Sequence, residues 1–185
     1  MRTLYLFNMI TLDGYFEGAT KWDISWHNVD AEFNEFAIEQ LNATDTLIFG
    51  RVTYEGMAAY WPTETPIKND PIVANTMNSS PKVVFSRTMK KAEWNNTRVV
   101  KENAAQELAN LKKQSGKDIG ILGSANLAST LVESGLIDEF RFMINPVILG
   151  KGTLLFQGFG DRLNLRLLKA RTFKSGNVLL CYGRE

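Results

Sequence analysis

An α/β fold with one central sheet, mixed but mainly parallel and covered by helices on both faces, is the architecture this sequence predicts. Three observations predict it. Eight apolar runs rich in Val, Ile, Leu and Phe, each bounded by Gly, Pro, Asn or Ser, read as strands over roughly 3–10, 45–50, 82–86, 97–100, 118–122, 139–145, 163–171 and 177–183. Through most of the chain these runs alternate with stretches of helical period, the pattern of parallel strands joined by crossover helices. The closing runs follow one another without a helix, so an antiparallel edge completes the sheet.

The elements follow in order. TLYLFNMI (3–10) has no basic stretch before it and is too short to span a bilayer, so no membrane segment is expected and the cytoplasm is the default location. In VDAEFNEFAIEQLNA, Phe33, Phe36, Ala37 and Leu41 recur at helical spacing, and Asp30 is placed to cap the helix start. TLIFG and KVVFS are almost continuously apolar, as inner strands covered on both faces must be. PIKNDPIVANTMNSSP (66–81) reads as a loop with room for a short helix. NAAQELANLKKQSG opens on Asn103 with Gln106 three residues on, a capping-box pattern, and closes near Gly116. SANLASTLVESG sets Leu127 and Leu131 on one face and stops at Gly135. EFRFMIN and LNLRLLKART alternate, so one face of each is only partly covered, and KSGN (174–177) reads as the hairpin turn between the last two strands.

Composition sets the limits. The 185 residues, 44% hydrophobic and 22% charged, suit a single domain spanning 1–185 whose core needs no disulfide or metal. Lys+Arg 21 against Asp+Glu 20 leaves a formal charge of +1, too little to attract nucleic acid or a membrane surface, so any anion site must be local. The single cysteine, Cys181, excludes an internal disulfide and reads as buried and inert; with the single histidine, His27, it is too little for a zinc site. No metal is expected. There are no repeats, low-complexity tracts or linkers.

Three strand ends share a design. LIFGRVT ends in Gly50-Arg51, VVFSRT in Ser86-Arg87-Thr88, and IGILGSANLAST in Gly123-Ser124 before a helix. As parallel neighbours these strands would bring two arginines, three hydroxyls and two glycines to one crevice. Helix N-termini and close backbone N–H groups favour anions there, and arginine adds a planar fork for phosphate oxygens. An arginine after a strand is most often a solvated surface residue, so the signal lies in the coincidence. Neither a P-loop nor G-x-G-x-x-G is present.

GRVTYE after one strand, FSRT after the next, then GSANLASTLVESGLIDEFRF and NPVILGKGTLLF, with TLDGYF early on, resemble the dihydrofolate-reductase-like superfamily. Within it the resemblance is closest to the C-terminal reductase domain of the riboflavin-biosynthesis deaminase-reductase, and it runs from about residue 3 to 182. The resemblance implies a three-layer α/β/α fold, NADPH as hydride donor, a small-molecule substrate and a homodimer. It places Gly50, Arg51 and Thr53 at the adenosine-side phosphates, and Ser86 and Arg87 at the adenine and its ribose 2′-phosphate. Gly123, Ser124, Ala125, Asn126 and Leu127 fall beneath the pyrophosphate; this turn is often Gly-Gly in the family and here is Gly-Ser. Asp13 and Gly14 match the loop beside nicotinamide and substrate, and Gly150, Lys151 and Gly152 a glycine-rich loop near the cleft.

Hydride delivery leaves a site that needs a proton, commonly from a carboxylic acid or water. The folate reductases carry an acid one turn ahead of a phenylalanine in the helix before GR, and Glu32 with Phe36 has that spacing. Asp13 and Asp30 compete with Glu32, which equally suits an exposed first-turn carboxylate. His27 suits a surface or packing role; Trp22 and Trp26 suit either a wall for a flat substrate or a hydrophobic lid. Tyr54, Tyr60 and Trp61 read as core, and the Lys-Lys pairs at 90–91 and 112–113 as solvated charges. The deaminase half would need H-x-E and P-C-x-x-C motifs, which are absent. The expectation is a stand-alone NADPH-dependent reductase of a heterocycle, most like 5-amino-6-(5-phosphoribosylamino)uracil reductase. A dihydrofolate reductase is the alternative, although the Leu-Pro-Trp signature is missing. A nucleotide-binding protein without turnover is the other.

Overall fold

The chain passes through the centre of its main sheet first and then builds outward on both sides. A computed structural model describes residues 1–157 and 160–185. In chain order the elements are β1 (Leu4–Thr11), β2 (Tyr15–Glu17), α1 (Ala31–Asn42), β3 (Thr44–Gly50), α2 (Arg51–Tyr60), α3 (Glu64–Asn69), α4 (Pro71–Ser79) and β4 (Lys82–Phe85). They continue with β5 (Thr97–Val100), α5 (Ala104–Lys113), β6 (Asp118–Leu122), α6 (Ala125–Glu133), β7 (Glu139–Asn145), β8 (Thr153–Leu154), β9 (Leu165–Thr172) and β10 (Val178–Arg184). The eight-stranded sheet has the order β5-β4-β3-β6-β1-β7-β10-β9. All pairs from β5 to β7 are parallel, whereas β10 pairs antiparallel with both β7 and β9. The expected mixed, mainly parallel sheet with an antiparallel edge is therefore present, and each of its strands lies within a residue or two of the expected run.

Alternation along β1 divides the core. Leu4 and Leu6 face α5 and α6, packing with Ile121, Leu108, Ala128 and Leu131. Tyr5 and Phe7 face the other layer, against Leu41 of α1, Tyr54 of α2 and Met77 of α4. Helices thus cover both faces of the inner strands, which explains their continuous apolarity. Asp30 caps α1 as expected: its Oδ1 accepts from Phe33 N–H at 2.8 Å.

Some local expectations are corrected. The ambiguous 66–81 segment is helical for most of its length, as α3 and α4, with Pro71 opening α4. The capping box at α5 does not form: Asn103 is left-handed (φ 55), makes no side-chain cap bond, and Gln106 donates to Asn110 instead. Lys112 is not a solvated charge. It is buried, with its Nζ donating to Leu136 O at 2.8 Å and pairing with Asp138 at 2.6 Å. Tyr54 is core, but Tyr60 is 46% exposed at the end of α2. A second sheet, β2 with β8, has strands of three and two residues, too short to show alternation in sequence.

The loop from Gly18 to Asp30 covers part of the sheet's upper edge and is fastened at both ends. Trp22, left-handed at φ 65, lays its ring over Gly56 of α2, where any Cβ would collide with it. At the other end Asn28 N–H donates to Asn145 Oδ1 at 2.9 Å, and Asn28 O accepts from Asn177 Nδ2 at 2.9 Å. Asn145 and Asn177 are fully buried, so the loop is tied to β7 and to the β9–β10 hairpin through amides that water does not reach. His27 sits beside this junction, its ring edge-on to Trp26 at 4.4 Å between centroids, with Nε2 buried and unpartnered among the described residues. Burial pushes its pKa down from 6.5 to about 4.

This has a measurable consequence. The unfolded chain takes up the imidazole proton near pH 6.5 and the native protein only near pH 4, so the unfolded state binds more protons between those values. Stability is whole above pH 6.5 and falls as the pH drops toward 4, by up to about 3 kcal/mol. His27→Phe should flatten that part of the profile. Urea midpoints from pH 7 to 4 for both proteins check it, and parallel curves would show that His27 does not titrate on folding.

Candidate functional site

Because β3 to β7 run parallel, their carboxyl ends lie along one rim of the sheet. At its middle, α2 and α6 begin beside each other. Gly50 N–H, at the start of α2, donates to Ser124 Oγ at 2.7 Å, at the start of α6. A Cβ on Gly50 would stand 3.3 Å from that oxygen, so any larger residue would push Ser124 back by a few tenths of an ångström. Gly123 and Ser124 are both left-handed (φ 65 and 67), a conformation that glycine takes readily and serine only with strain. Thr53 is buried with its methyl group beneath Gly123. Neither α2 nor α6 has a side-chain cap, so the first N–H groups of both helices are open at one place. Gly50, Arg51, Thr53, Gly123, Ser124, Ala125, Asn126 and Leu127 are brought together there, as the sequence predicts for a phosphate cradle.

One strand outward, Ser86, Arg87, Lys101, Glu102 and Asn103 line a hollow of about 180 Å³ floored by Phe85 and Val100. The Ser86 hydroxyl accepts from Thr88 N–H (3.3 Å) and Met89 N–H (3.0 Å), which shapes the turn that carries Arg87. Arg87 is exposed and has no hydrogen-bond or ion-pair partner among the described residues. Lys101 was not singled out from the sequence, although a cation directly after a strand is the same signal that marked Arg51 and Arg87. The left-handed Asn103 leaves α5 uncapped as well, a third open helix start on this rim. Arg51 is engaged: its Nη1 lies 2.9 and 3.1 Å from the Glu55 carboxylate oxygens. A larger hollow of about 720 Å³ beside Tyr54, Ile67, Met89 and Trp94 contains none of the predicted site residues.

The other end of the rim is built by β1 and β7. Asp13 Oδ1 accepts from Thr11 Oγ1 at 2.6 Å and from Leu149 N–H at 3.3 Å, and its Oδ2 from Gly150 N–H at 2.8 Å. These donors, Thr11 foremost, hold the carboxyl below the usual carboxylate range. Asp13 is thereby an ionised brace between the β1–β2 turn, where Gly14 has φ 86, and the 149–152 loop. Gly152 presses against Glu17 O, where no side chain would fit. Trp26 donates from Nε1 to Asp23 O at 3.2 Å. Glu32 turns toward the β9–β10 hairpin: Oε2 accepts from Lys174 N–H at 2.9 Å, and Oε1 lies 3.9 Å from Arg171. The two candidate acids are therefore fastened to different elements and do not form a pair.

Between these ends the sheet opens. β1 pairs with β6 only as far as Phe7 and Leu122, followed by one bond from Gly123 N–H to Phe7 O at 3.1 Å. Beyond it β6 leaves the sheet at Gly123, while β1 runs on to Thr11 beside β7 alone. Asn8 stands at that divergence, 3% exposed, with Nδ2 unpartnered among the described residues. Sequence patterning hides it, because one asparagine in an apolar run reads as a tolerated polar residue. Among the described residues no group of three or more His, Cys, Asp or Glu is placed to hold a metal, and no helix is long and apolar enough to cross a membrane.

Residues 2–179 match the family described as the RibD C-terminal domain. The uncharacterized protein YyaP of Bacillus subtilis is 36% identical over 183 residues, 98% of this chain and 94% of that one. A protein of Shewanella sp. PV-4 assigned to riboflavin biosynthesis superposes with a TM-score of 0.74 at 23% identity, covering 99% of each chain. Enterococcus faecalis dihydrofolate reductase, complexed with NADP(H) and RAB-propyl, superposes with a TM-score of 0.65 at 14% identity, covering 99% of this chain and 96% of that one. At such identities the structural likenesses establish the fold, a dihydrofolate-reductase-like one.

Proposed function

We propose, because this chain belongs to the RibD C-terminal domain family, that it is an NADPH-dependent reductase of a small heterocycle. Within that class it is most like 5-amino-6-(5-phosphoribosylamino)uracil reductase. The observation that carries the reading is the joined, uncapped start of α2 and α6, with two uncommitted cations in the neighbouring hollow. Open N–H groups at a helix dipole suit a pyrophosphate, and Arg87 with Lys101 suits a further phosphate. The donor set therefore fits a phosphorylated dinucleotide.

In this reading Gly50, Ser124, Ala125, Asn126 and Leu127 hold the pyrophosphate, while Ser86, Arg87 and Lys101 hold the 2′-phosphate end. Arg51 can join them cheaply. Its pair with Glu55 is exposed, 44% and 43% for the two side chains. Such i,i+4 pairs contribute about 0.3–0.5 kcal/mol, against about 1.5–3 kcal/mol for a charge-assisted bond to phosphate. The bound cofactor supplies hydride. Asp13 keeps the Gly14 turn and the 149–152 loop in place at the substrate end, where Trp26 walls a flat ring. Asp13 is held by three donors from two loops, whereas one backbone N–H holds Glu32, so Glu32 is the proposed acid, released from Lys174 N–H when substrate enters.

A second copy of this chain is the proposed partner. Edge strand β9 is unpaired on one side, and its Leu167 and Leu168 are 52% and 47% exposed. Sedimentation at micromolar concentration should give twice the 20.8 kDa chain mass; a particle of single-chain mass refutes the dimer.

Cofactor titration tests the main reading. NADPH should bind at least about tenfold tighter than NADH, and Arg87→Ala should remove most of that difference. Equal affinities in the wild type would refute the 2′-phosphate assignment. For the proton, single-turnover hydride transfer with candidate pyrimidine and pteridine substrates should slow ~10²–10⁴-fold in Glu32→Gln with NADPH binding intact. If Asp13→Asn alone collapses the rate, the role passes to Asp13; if neither does, water supplies the proton.

A further inference from the structure

Asn8 breaks the pattern of its strand. Residues of even number along β1 face α6, and Leu4 and Leu6 are fully buried there, with Ile10 packed against the same cluster. Asn8 shares that face, opposite Phe142 of β7 in register. A polar amide placed there with Nδ2 unpaired is unfavourable, and native proteins seldom leave such a group unmatched. Its three fellow orphans are elsewhere: His27 and Asn177 lie at the loop junction, and Arg184 lies at the end of β10. Asn8 alone stands where β6 leaves β1, one residue past Phe7, whose carbonyl accepts from Gly123 N–H.

We propose that Asn8 is a ligand-recognition residue whose side-chain amide reads the carboxamide of the nicotinamide ring, in the opening between β1 and the start of α6. The inference rests on the cofactor reading above. A dinucleotide whose pyrophosphate sits at Gly50 and Ser124, and whose adenosine end occupies the Arg87–Lys101 hollow, runs along the rim in the order β4, β3, β6. Its nicotinamide end next reaches β1. There the β6-facing backbone of residues 8–11 has no strand partner, and Asn8 adds a donor and an acceptor in one plane. A carboxamide offers the complementary acceptor and donor, whereas a merely apolar pocket would fix the plane of the ring but not its orientation.

The test uses Asn8→Leu, which keeps the branching at Cγ and removes the amide, and Asn8→Ala in case the larger leucine overpacks. NADPH and 2′,5′-ADP, which lacks the nicotinamide half, are titrated by calorimetry, and the melting temperature of each apo protein is recorded. The expected result is about tenfold weaker NADPH binding in both variants, 2′,5′-ADP affinity within twofold of wild type, and an Asn8→Leu protein that melts no lower than wild type. Equal losses for the two ligands, or no loss for either, would assign Asn8 a structural role and overturn the proposal. Failure of the wild type itself to bind either ligand removes the cofactor reading and this inference with it. Binding of both by the wild type with unchanged NADPH affinity in the variants removes the inference alone.

Discussion

Parallel strands can be joined only by crossovers that carry the chain back to the edge it started from, and this requirement organises the molecule. Every inner strand of the sheet begins at one edge and ends at the other, so the strand-to-helix turns at Gly50 and Gly123 must share a rim. β3 and β6 are direct neighbours in the sheet although more than seventy positions separate Gly50 from Ser124, whose hydrogen bond spans |i−j| of 74. Two helix dipoles and their free N–H groups thereby converge without any residue dedicated to bringing them together. The glycine and the strained serine only adjust how closely they meet.

Charge is distributed in accordance with that polarity. At the opposite edge, where the parallel strands begin, Arg2 pairs with Asp45, Lys112 with Asp138 and Arg141 with Glu139, while Arg184 Nε at the end of β10 has no partner among the described residues. Lys82, at the start of β4, donates to the carbonyls of Asn78, Ser80 and Asn95 and lies 4.4 Å from the Trp94 ring centroid. These groups are consumed by the fold, since a buried charge left without partners would be costly. At the carboxyl edge the balance is reversed. Arg87 and Lys101 have no partners among the described residues, Arg51 has only a weak exposed one, and Asn8 is incompletely bonded. One edge has most of its charges paired within the fold, and the other leaves polar groups unpaired among the described residues.

The cover over the substrate end follows the same division. Asp13 and Glu32 are carboxylates of similar chemistry, yet both act first as fasteners, one for the 149–152 loop and one for the β9–β10 hairpin. The Gly18–Asp30 loop closes on α2 through Trp22 and on β7 through Asn28. The loop leads directly into the Asp30 cap of α1, the helix whose first turn carries Glu32.

What the sequence determined by itself were the features written in local chemistry. The eight strands of the main sheet, the Asp30 cap, the Gly135 stop and the KSGN turn follow from hydrophobic period and from turn and cap residues, which act within a few positions of the chain. The Gly50, Ser86 and Gly123 strand ends were legible for the same reason, since a glycine or hydroxyl closing an apolar run is a local signal. The tertiary structure alone decided the rest. Asn103 looked like a capping residue and is left-handed; Lys112 looked solvated and is buried on Asp138; Lys101 and Asn8 looked unremarkable and stand at the rim. The fate of Asp13 and Glu32 was hidden in the same way, because their partners Gly150 and Lys174 lie 137 and 142 positions away. A side chain's partner is set by which strands become neighbours, and sequence spacing carries no record of that choice.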